Sequence, residues 1–335
     1  MELPPLATTT VGSFPRPAWL ADREGTSVRF RLDDAALREA QDDATVVALH
    51  IQEQVGLDLL TDGEQRRPHF IGHVLANLEG IDVLAPRLKT VYRRRVMPRP
   101  VPRVVGPVRR REPLVVDDLR FARAHTTRPL KMAVPGPMTV VDSTYDEAYG
   151  DEAALAMDVA AALNAEILAL QAAGCDVVQI DEPAMTRYHE KVAAYGARAL
   201  DRCLDGVTIP TIVHLCYGYP GAGGQQHEYE YPELLALLAD TRIGGYSLEF
   251  ARSGYDPAVL RHCGDRLVMY GCVDPGDGPP EPLEVVLDRV RAALAYVPPE
   301  RLLLAPDCGL ITVTRELAEA KARRLVEAAQ VLREG

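Results

Sequence analysis

The chain has 335 residues, a formal net charge of −11 at pH 7 and six cysteines. Its length exceeds that of a typical domain, but α/β barrels use such a length for one unit, so we expect a single domain over residues 1–335. The acidic charge disfavours a general nucleic-acid or membrane-surface partner. With no basic leader and no apolar run of membrane-spanning length, the sequence predicts a cytoplasmic protein with reduced thiols.

Eight apolar segments, each followed by an amphipathic stretch, divide most of the chain into strand and helix units. The predicted strands are residues 6–12, 57–62, 130–136, 176–181, 208–214, 244–249, 267–273 and 301–305. The main predicted helices are residues 33–55, 151–173, 232–239, 282–296 and 314–333. Most strands lack strict alternation, which is typical of strands buried on both faces. We therefore predict an α/β fold, a (β/α)8 TIM barrel, with an open doubly wound sheet as the alternative.

Residues 84–119 interrupt this alternation, because they are rich in proline and arginine. We predict an inserted hairpin here. Its arginines surround Gly106 and are Arg93, Arg94, Arg95, Arg99, Arg103, Arg109, Arg110 and Arg111. Two interpretations stay open: a solvated excursion, or a basic arm that meets an anionic donor, cofactor or partner protein.

Several reactive side chains follow the predicted strands, where α/β barrels build their active sites. His214 and Cys216 are two residues apart at a strand end, so their side chains can point the same way. Glu249 ends the next strand, and Cys308 follows the last one. Two thiolates, an imidazole and a carboxylate suit zinc better than magnesium or calcium. We predict a Zn²⁺ site that can hold a substrate thiol as a thiolate at neutral pH.

Two further carboxylates, Glu64 and Asp181, also fall at strand ends. Buried carboxylates are costly unless they meet a cation, so a substrate ammonium would explain both. The alternative is a set of structural salt bridges to Arg66, Arg67 or Arg187. The remaining cysteines are predicted to be small packing residues, namely Cys175, Cys203, Cys263 and Cys272.

The chain resembles the catalytic half of cobalamin-independent methionine synthase in six motifs that occur in the family's order. They are Thr8-Thr9-Thr10-Val11-Gly12-Ser13-Phe14-Pro15, Asp62-Gly63-Glu64, Gly136-Pro137-Met138-Thr139, Gln179-Ile180-Asp181-Glu182-Pro183-Ala184, His214-Leu215-Cys216-Tyr217 and Pro306-Asp307-Cys308-Gly309-Leu310. The resemblance implies a barrel with zinc on the four predicted ligands. It also implies homocysteine held by Ser13 at its carboxylate and by Glu64 and Asp181 at its ammonium. In that family the zinc-bound homocysteine thiolate attacks a methyl group, which gives methionine.

Three departures from the family pattern concern the methyl donor. Full-length family members carry a related N-terminal barrel that helps to bind polyglutamate folate, and this chain resembles only the catalytic half. The family tryptophan that stacks on the pterin is replaced within Val140-Val141-Asp142-Ser143. The family Asp-x-His used for proton transfer appears as Cys272-Val273-Asp274, so Asp274 is a candidate substitute acid. We therefore expect a donor other than polyglutamyl folate, such as a methylated corrinoid carried by a protein.

The leading hypothesis is a zinc-dependent S-methyltransferase that acts on homocysteine. One alternative is alkyl transfer to another thiol such as coenzyme M, although Glu64 and Asp181 would repel its sulfonate. Another alternative is a non-catalytic barrel that binds zinc and thiols, because fold alone does not guarantee activity.

Overall fold

The structure is a computed structural model that describes residues 3–25, 27–92, 96–217 and 231–334. Its strands are β1 (Ala21–Glu24), β2 (Ser27–Phe30), β3 (Leu60–Thr61), β4 (Leu78–Tyr92), β5 (Val96–Arg110), β6 (Leu130–Pro135), β7 (Tyr145–Asp146), β8 (Val177–Asp181), β9 (Thr211–His214), β10 (Gly245–Glu249), β11 (Leu267–Val273) and β12 (Leu302–Pro306). Its α-helices are α1 (Asp34–Val55), α2 (Gly72–Ala76), α3 (Val116–His125), α4 (Pro137–Asp142), α5 (Glu152–Ala172), α6 (His189–Lys191), α7 (Ala197–Arg202), α8 (Tyr231–Leu237), α9 (Leu283–Leu294) and α10 (Arg315–Glu334).

Seven parallel strands form the main sheet, in the order β12-β11-β10-β9-β8-β6-β3. The segment before β1 completes the ring, because Thr8 forms a parallel bridge with Leu304 and Thr9 forms one with Leu59. The sheet is therefore closed, and the predicted α/β barrel is confirmed. Where a strand was predicted over residues 6–12, only these two bridges form. The other predicted strands overlap β3, β6 and β8 to β12, which are mostly shorter than predicted.

Apolar side chains fill the lower part of the barrel. This barrel floor consists of Ala7, Val11, Leu59, Val177, Ile212, Met269, Leu303 and Ala305. A second and larger core lies between the strands and the surrounding helices. Because the interior is packed from below, the space open to chemistry lies at the C-terminal ends of the strands, as in other barrels of this kind.

Helix α5 is the most apolar of the long helices in the described part of the chain. It begins at Asp151, whose carboxylate accepts a hydrogen bond from the backbone N–H of Ala153 at 2.8 Å. By length and composition alone α5 could cross a membrane, although we predicted no segment of that kind. Within the fold, 56% of its most apolar window is buried. That burial reflects the position of α5 between the barrel and its neighbours α4 and α7.

The insertion is a long antiparallel hairpin of β4 and β5, which confirms the predicted hairpin. Its bounds differ from the predicted 84–119, because the strands span residues 78–110 and α3 begins at Val116. Acidic partners neutralise part of its charge: Arg103 contacts Asp82 and Glu147, and Arg110 contacts Glu166. The arginines 93–95 lie outside the described residues.

Candidate functional site

The four predicted metal ligands meet at the C-terminal end of the barrel. His214 and Glu249 are the last residues of β9 and β10, whereas Cys216 and Cys308 each follow a strand by two residues. Their ligand atoms all lie within 4.8 Å of one another, and all four residues are buried. Side chains separated by up to 94 positions in sequence are thus gathered because parallel strands end on one rim.

The spacing of the two sulfur atoms is compatible with a tetrahedral metal ion such as zinc. They are 3.5 Å apart, close to the separation of about 3.8 Å between two sulfur ligands at ~2.3 Å from a tetrahedral centre. His214 Nδ1 is 2.8 Å from Ser247 Oγ. His214 Nε2 is buried and has no hydrogen-bond partner within the described part of the chain. An imidazole fixed through one nitrogen with the other left bare is the arrangement expected of a zinc ligand.

The electrostatics of the cluster also call for a cation. Burial and the nearby Lys131 ammonium lower the pKa of His214 to about 3, so the imidazole is neutral. Burial and the Cys216 thiol raise the pKa of Glu249 well above its usual range. A buried carboxylate and two thiols without a positive partner are costly, and a divalent metal ion would remove that cost.

Asp307 holds the loop that follows the predicted ligand Glu249. Its carboxylate accepts backbone hydrogen bonds from Phe250 at 3.0 Å, Ala251 at 2.9 Å and Arg252 at 2.8 Å. A Cβ on Gly271 would lie 2.3 Å from Asp307 Oδ1, so this approach requires glycine. Asp307 therefore ties the loop bearing Cys308 to the loop after Glu249. This role of Asp307 could not be seen in the sequence.

The three predicted substrate-binding residues lie beside the cluster. A Cβ on Gly12 would be 2.8 Å from Glu64 Oε1, which places the Glu64 carboxylate against the backbone preceding Ser13. The carbonyl of Ser13 accepts a hydrogen bond at 2.8 Å from Leu310 in the loop after Cys308. Asp181 ends β8 and is the register partner of His214. Glu64 also has a φ of 56°, a strained value for a residue other than glycine.

The alternative of structural salt bridges applies mainly to other carboxylates. Arg67 lies 2.7 Å from Asp62 but 4.0 Å from Glu64. Arg187 pairs with Asp142 at 2.9 Å. Among the described residues Asp181 forms no salt bridge. The shorter salt bridges thus belong to Asp62 and Asp142, whereas Glu64 has only the long contact with Arg67.

A buried lysine below these carboxylates was missed by the sequence analysis. Lys131 donates to Val11 O at 2.7 Å and to Gln179 Oε1, and Gln179 Nε2 donates to Asp181 Oδ1 at 2.7 Å. Burial lowers the pKa of Lys131 to about 7 and raises the pKa of Asp181 to about 7. Gln179 and Lys131 both act to lower the pKa of Asp181. One signal was present, because Lys131 is the charged residue in an otherwise apolar strand.

Two of the sequence motifs, those that contain Gly136 and Glu182, contact each other through side chain and backbone. Glu182 accepts hydrogen bonds from the backbone N–H of Met138 and of Thr139, both at 2.9 Å, and from the Thr139 hydroxyl at 2.7 Å. It thereby caps the first turn of α4, where backbone N–H groups lack helical partners. A Cβ on Gly136 would lie 2.2 Å from Glu182 Oε1. These contacts give both motifs a structural role, because Glu182 of one motif caps the helix that begins in the other.

Asp274 lies directly after β11, on the same rim as the cluster. Its Oδ1 accepts a hydrogen bond from Gly276 N–H at 2.8 Å and lies 3.4 Å from Arg252 Nη1. Its side chain is half-exposed. The four remaining cysteines are all buried free thiols, in agreement with their predicted packing role.

A closed (β/α)8 barrel with buried imidazole, carboxylate and thiol groups converging at its C-terminal rim defines a class of barrel enzymes with a metal-binding centre. Residues 6–331 match the family described as the catalytic domain of cobalamin-independent synthase, and the chain belongs to that family. It is 32% identical to a methionine synthase of Sulfurisphaera tokodaii, over 99% of this chain and 94% of that protein. It is 31% identical to a methionine synthase of Thermococcus kodakarensis, over 99% and 95%.

A solved structure gives the same assignment. The B12-independent methionine synthase from Shewanella sp. W3-18-1, in complex with selenomethionine, is 33% identical to this chain with a TM-score of 0.90. The alignment covers 99% of this chain and 98% of the Shewanella chain. The predicted family resemblance is therefore confirmed.

Proposed function

We propose that this protein transfers a methyl group to the thiol of homocysteine and thereby forms methionine, with Zn²⁺ on His214, Cys216, Glu249 and Cys308. The observation that carries the proposal is the buried cluster of these four ligand atoms in a chain of this family. The relatives named methionine synthase and the selenomethionine in the Shewanella structure support this choice of acceptor.

The chain's own residues would prepare the acceptor. When bound, zinc would lower the pKa of the substrate thiol and keep it as a thiolate. Ser13 would hold the homocysteine carboxylate, while Glu64 and Asp181 would receive its ammonium. Because Asp181 is the register partner of His214, an amino acid held there keeps its thiol close to the metal ligands. Holding both ends of the acceptor reduces the entropic cost of reaction.

Glu249 would be the ligand that yields when the substrate sulfur enters. Its Oε1 accepts a hydrogen bond from the backbone N–H of Tyr217 at 2.9 Å. That N–H can keep the carboxylate satisfied during such an exchange, since a buried carboxylate without any donor would be expensive.

We also propose that the methyl donor is not a polyglutamyl folate. The residues in place of the family tryptophan are buried within α4 and its end, and Asp142 is engaged by Arg187 at 2.9 Å. No aromatic platform for a pterin is therefore offered at these described positions. A methylated corrinoid is the donor that we favour.

Donor screening with zinc-loaded protein and homocysteine tests the function. We expect methionine with methylcobalamin and none with methyltetrahydrofolate triglutamate. A Cys308→Ala variant should form none with either donor. Methionine formation from the folate alone would contradict the donor proposal, and its absence with both donors would count against the reaction itself.

Asp274 remains our proposed proton-transfer group, supported by its place after β11 on the rim and by its partial exposure. Asp274→Asn should lower kcat by about tenfold or more, as expected for loss of a general acid or base, with unchanged zinc content. A kcat equal to that of the wild type would remove Asp274 from the mechanism.

A further inference from the structure

Lys131 is an unusual residue for the interior of a barrel. It is fully buried in β6, and its register partner on β8 is Val177 of the apolar barrel floor. An ammonium group in such a place is retained only if its partners repay the loss of hydration. The chemistry described so far does not use it, although it lies directly below the proposed acceptor site.

The partners of Lys131 form a chain that leads to Asp181. Lys131 Nζ donates to Val11 O at 2.7 Å and to Gln179 Oε1. Gln179 and Asp181 are two residues apart on β8, so both side chains point into the barrel. Gln179 Nε2 donates to Asp181 Oδ1 at 2.7 Å.

The direction of this chain follows from the chemistry of its members. An ammonium group can only donate, so the side-chain oxygen of Gln179 must face Lys131. The NH₂ of the same amide then faces Asp181. The amide is thus held at both ends, and loss of Lys131 would leave its oxygen without this donor.

The charges around Asp181 also indicate a role for Lys131 in the acceptor site. The ionisable groups around Asp181 include two other carboxylates and two basic groups, namely Asp62, Glu64, Arg67 and Lys131. Arg67 also lies 3.6 Å from Asp118, so carboxylates outnumber the basic groups in this part of the site. An amino acid that brings one ammonium group would offset part of this excess negative charge, whereas removal of Lys131 would enlarge the excess.

We propose that Lys131 and Gln179 are positioning residues, which orient Asp181 and balance its charge so that it binds the ammonium group of the acceptor. This inference rests on the proposed function, because it assumes that the acceptor is an amino acid held by Asp181. It predicts that both residues affect recognition of the amino group and leave recognition of the thiol unchanged.

The test compares homocysteine with 4-mercaptobutanoate, which has the same thiol and carboxylate but no amino group. Both ligands are titrated calorimetrically into full-length, zinc-loaded protein, so no methyl donor is needed. The readout is the ratio of the two Kd values. The variants are Lys131→Met and Gln179→Met, and the second removes no charge and keeps the assay informative if the first fails to fold.

A matched control is Asn164→Leu. Asn164 is also a buried side-chain amide, but its Nδ2 donates to the carbonyls of Cys203 and Asp205, both at 2.8 Å, in the helical layer. Its loss should lower stability without changing the ratio of the Kd values.

The wild type should prefer homocysteine, and both variants should lose about tenfold of that preference, which is the effect of one charge-assisted hydrogen bond. Binding of 4-mercaptobutanoate and zinc content should stay unchanged. If the variants keep the wild-type preference, or lose affinity for both thiols equally, Lys131 and Gln179 do not position Asp181. If the wild type itself shows no preference for homocysteine, the proposed acceptor is wrong and this inference falls with it.

Discussion

Cys308 and Cys263 are both buried thiols, but their surroundings differ. The sulfur of Cys308 lies 3.5 Å from that of Cys216 within the metal cluster. Cys263 ends the 3-10 helix Pro257–Cys263 among apolar residues, and burial raises the pKa of its thiol to about 12. The thiol of Cys308 is therefore the candidate metal ligand, whereas the thiol of Cys263 should remain protonated.

Replacement of each thiol by alanine should separate these roles. Cys308→Ala should weaken zinc binding by about 100-fold or more, because a ligand is lost outright. Cys263→Ala should keep stoichiometric zinc and lose only packing stability. Competition with a chromogenic chelator measures the affinity. Equal zinc affinities in the two variants would contradict the assigned ligand set.

Glu182 gives the protein a predictable dependence on pH. It is fully buried, and that burial raises its pKa from 4.5 to about 7. Between these values the folded chain keeps a proton that the unfolded chain has released. The contribution of Glu182 to stability is therefore complete below about pH 4.5 and is lost as the pH rises through about 7.

Glu182→Gln should remove this dependence. As the pH rises from 5 to 8, the wild type should lose unfolding free energy relative to the variant, because glutamine does not titrate. The shift can reach at most about 3 kcal/mol, from 1.36 kcal/mol per pKa unit. Urea unfolding at several pH values measures it. Parallel pH profiles for the two proteins would show that Glu182 does not titrate in this range.

The four residues of the candidate metal site could be predicted from the sequence, whereas the residues that hold them in place could not. His214 and Cys216 could be predicted as a pair, because their spacing at a strand end places them on one side. Asp307 and Lys131 act through backbone groups and side chains more than 40 positions away. Such partners depend on the register between strands, which one sequence does not specify.

At the level of elements, α4 depends on one glycine. Gly136 precedes the helix, and Glu182 from the next strand end occupies the space where a Cβ would stand. The contact lets Glu182 reach the free N–H groups of the first turn. Glycine is required here because Glu182 approaches so closely; the φ of Gly136 is −83°, which other residues also adopt.

Gly136→Ala should therefore destabilise the protein by about 3 kcal/mol, as expected for overpacking together with loss of a cap. Gly278→Ala is the control, because a Cβ there would meet no atom within 4 Å. It should change stability by less than about 0.5 kcal/mol. Thermal unfolding of both variants measures the difference in stability. Similar melting temperatures would mean that Glu182 can move aside without loss of stability.

Element boundaries show where sequence patterns lose precision. The hairpin was recognised from its proline and arginine content, yet its strands begin at residue 78 and end at residue 110. The predicted end at 119 was wrong because α3 starts at Val116, with Asp117 and Asp118 in its first turn. Composition marked the insertion, whereas the onset of the next helix is signalled by only these few residues.

At the scale of the whole molecule, the two ends of the described chain are joined. Arg333 on α10 donates to Pro5 O at 2.8 Å and Leu6 O at 3.1 Å, and lies 2.6 Å from Asp58. Asp58 in turn accepts from the backbone N–H of Thr8 at 2.8 Å. This contact secures the segment that closes the barrel between β12 and β3.

Arg333→Ala should cost about 1 kcal/mol, near the upper end for a partly exposed ion pair. Arg323→Ala on the same helix removes an exposed pair with Glu319 at 2.9 Å and should cost about 0.3 kcal/mol. Urea unfolding compares the two. If Arg333→Ala is no more destabilising than Arg323→Ala, the contacts of Arg333 do not stabilise the closed barrel.

The central claim is that a zinc ion on these four residues takes up the thiol of homocysteine. X-ray absorption at the zinc edge tests it most directly. The account predicts two sulfur ligands without substrate, from Cys216 and Cys308, and three after addition of homocysteine. An unchanged number of sulfur ligands in the presence of saturating homocysteine would contradict it.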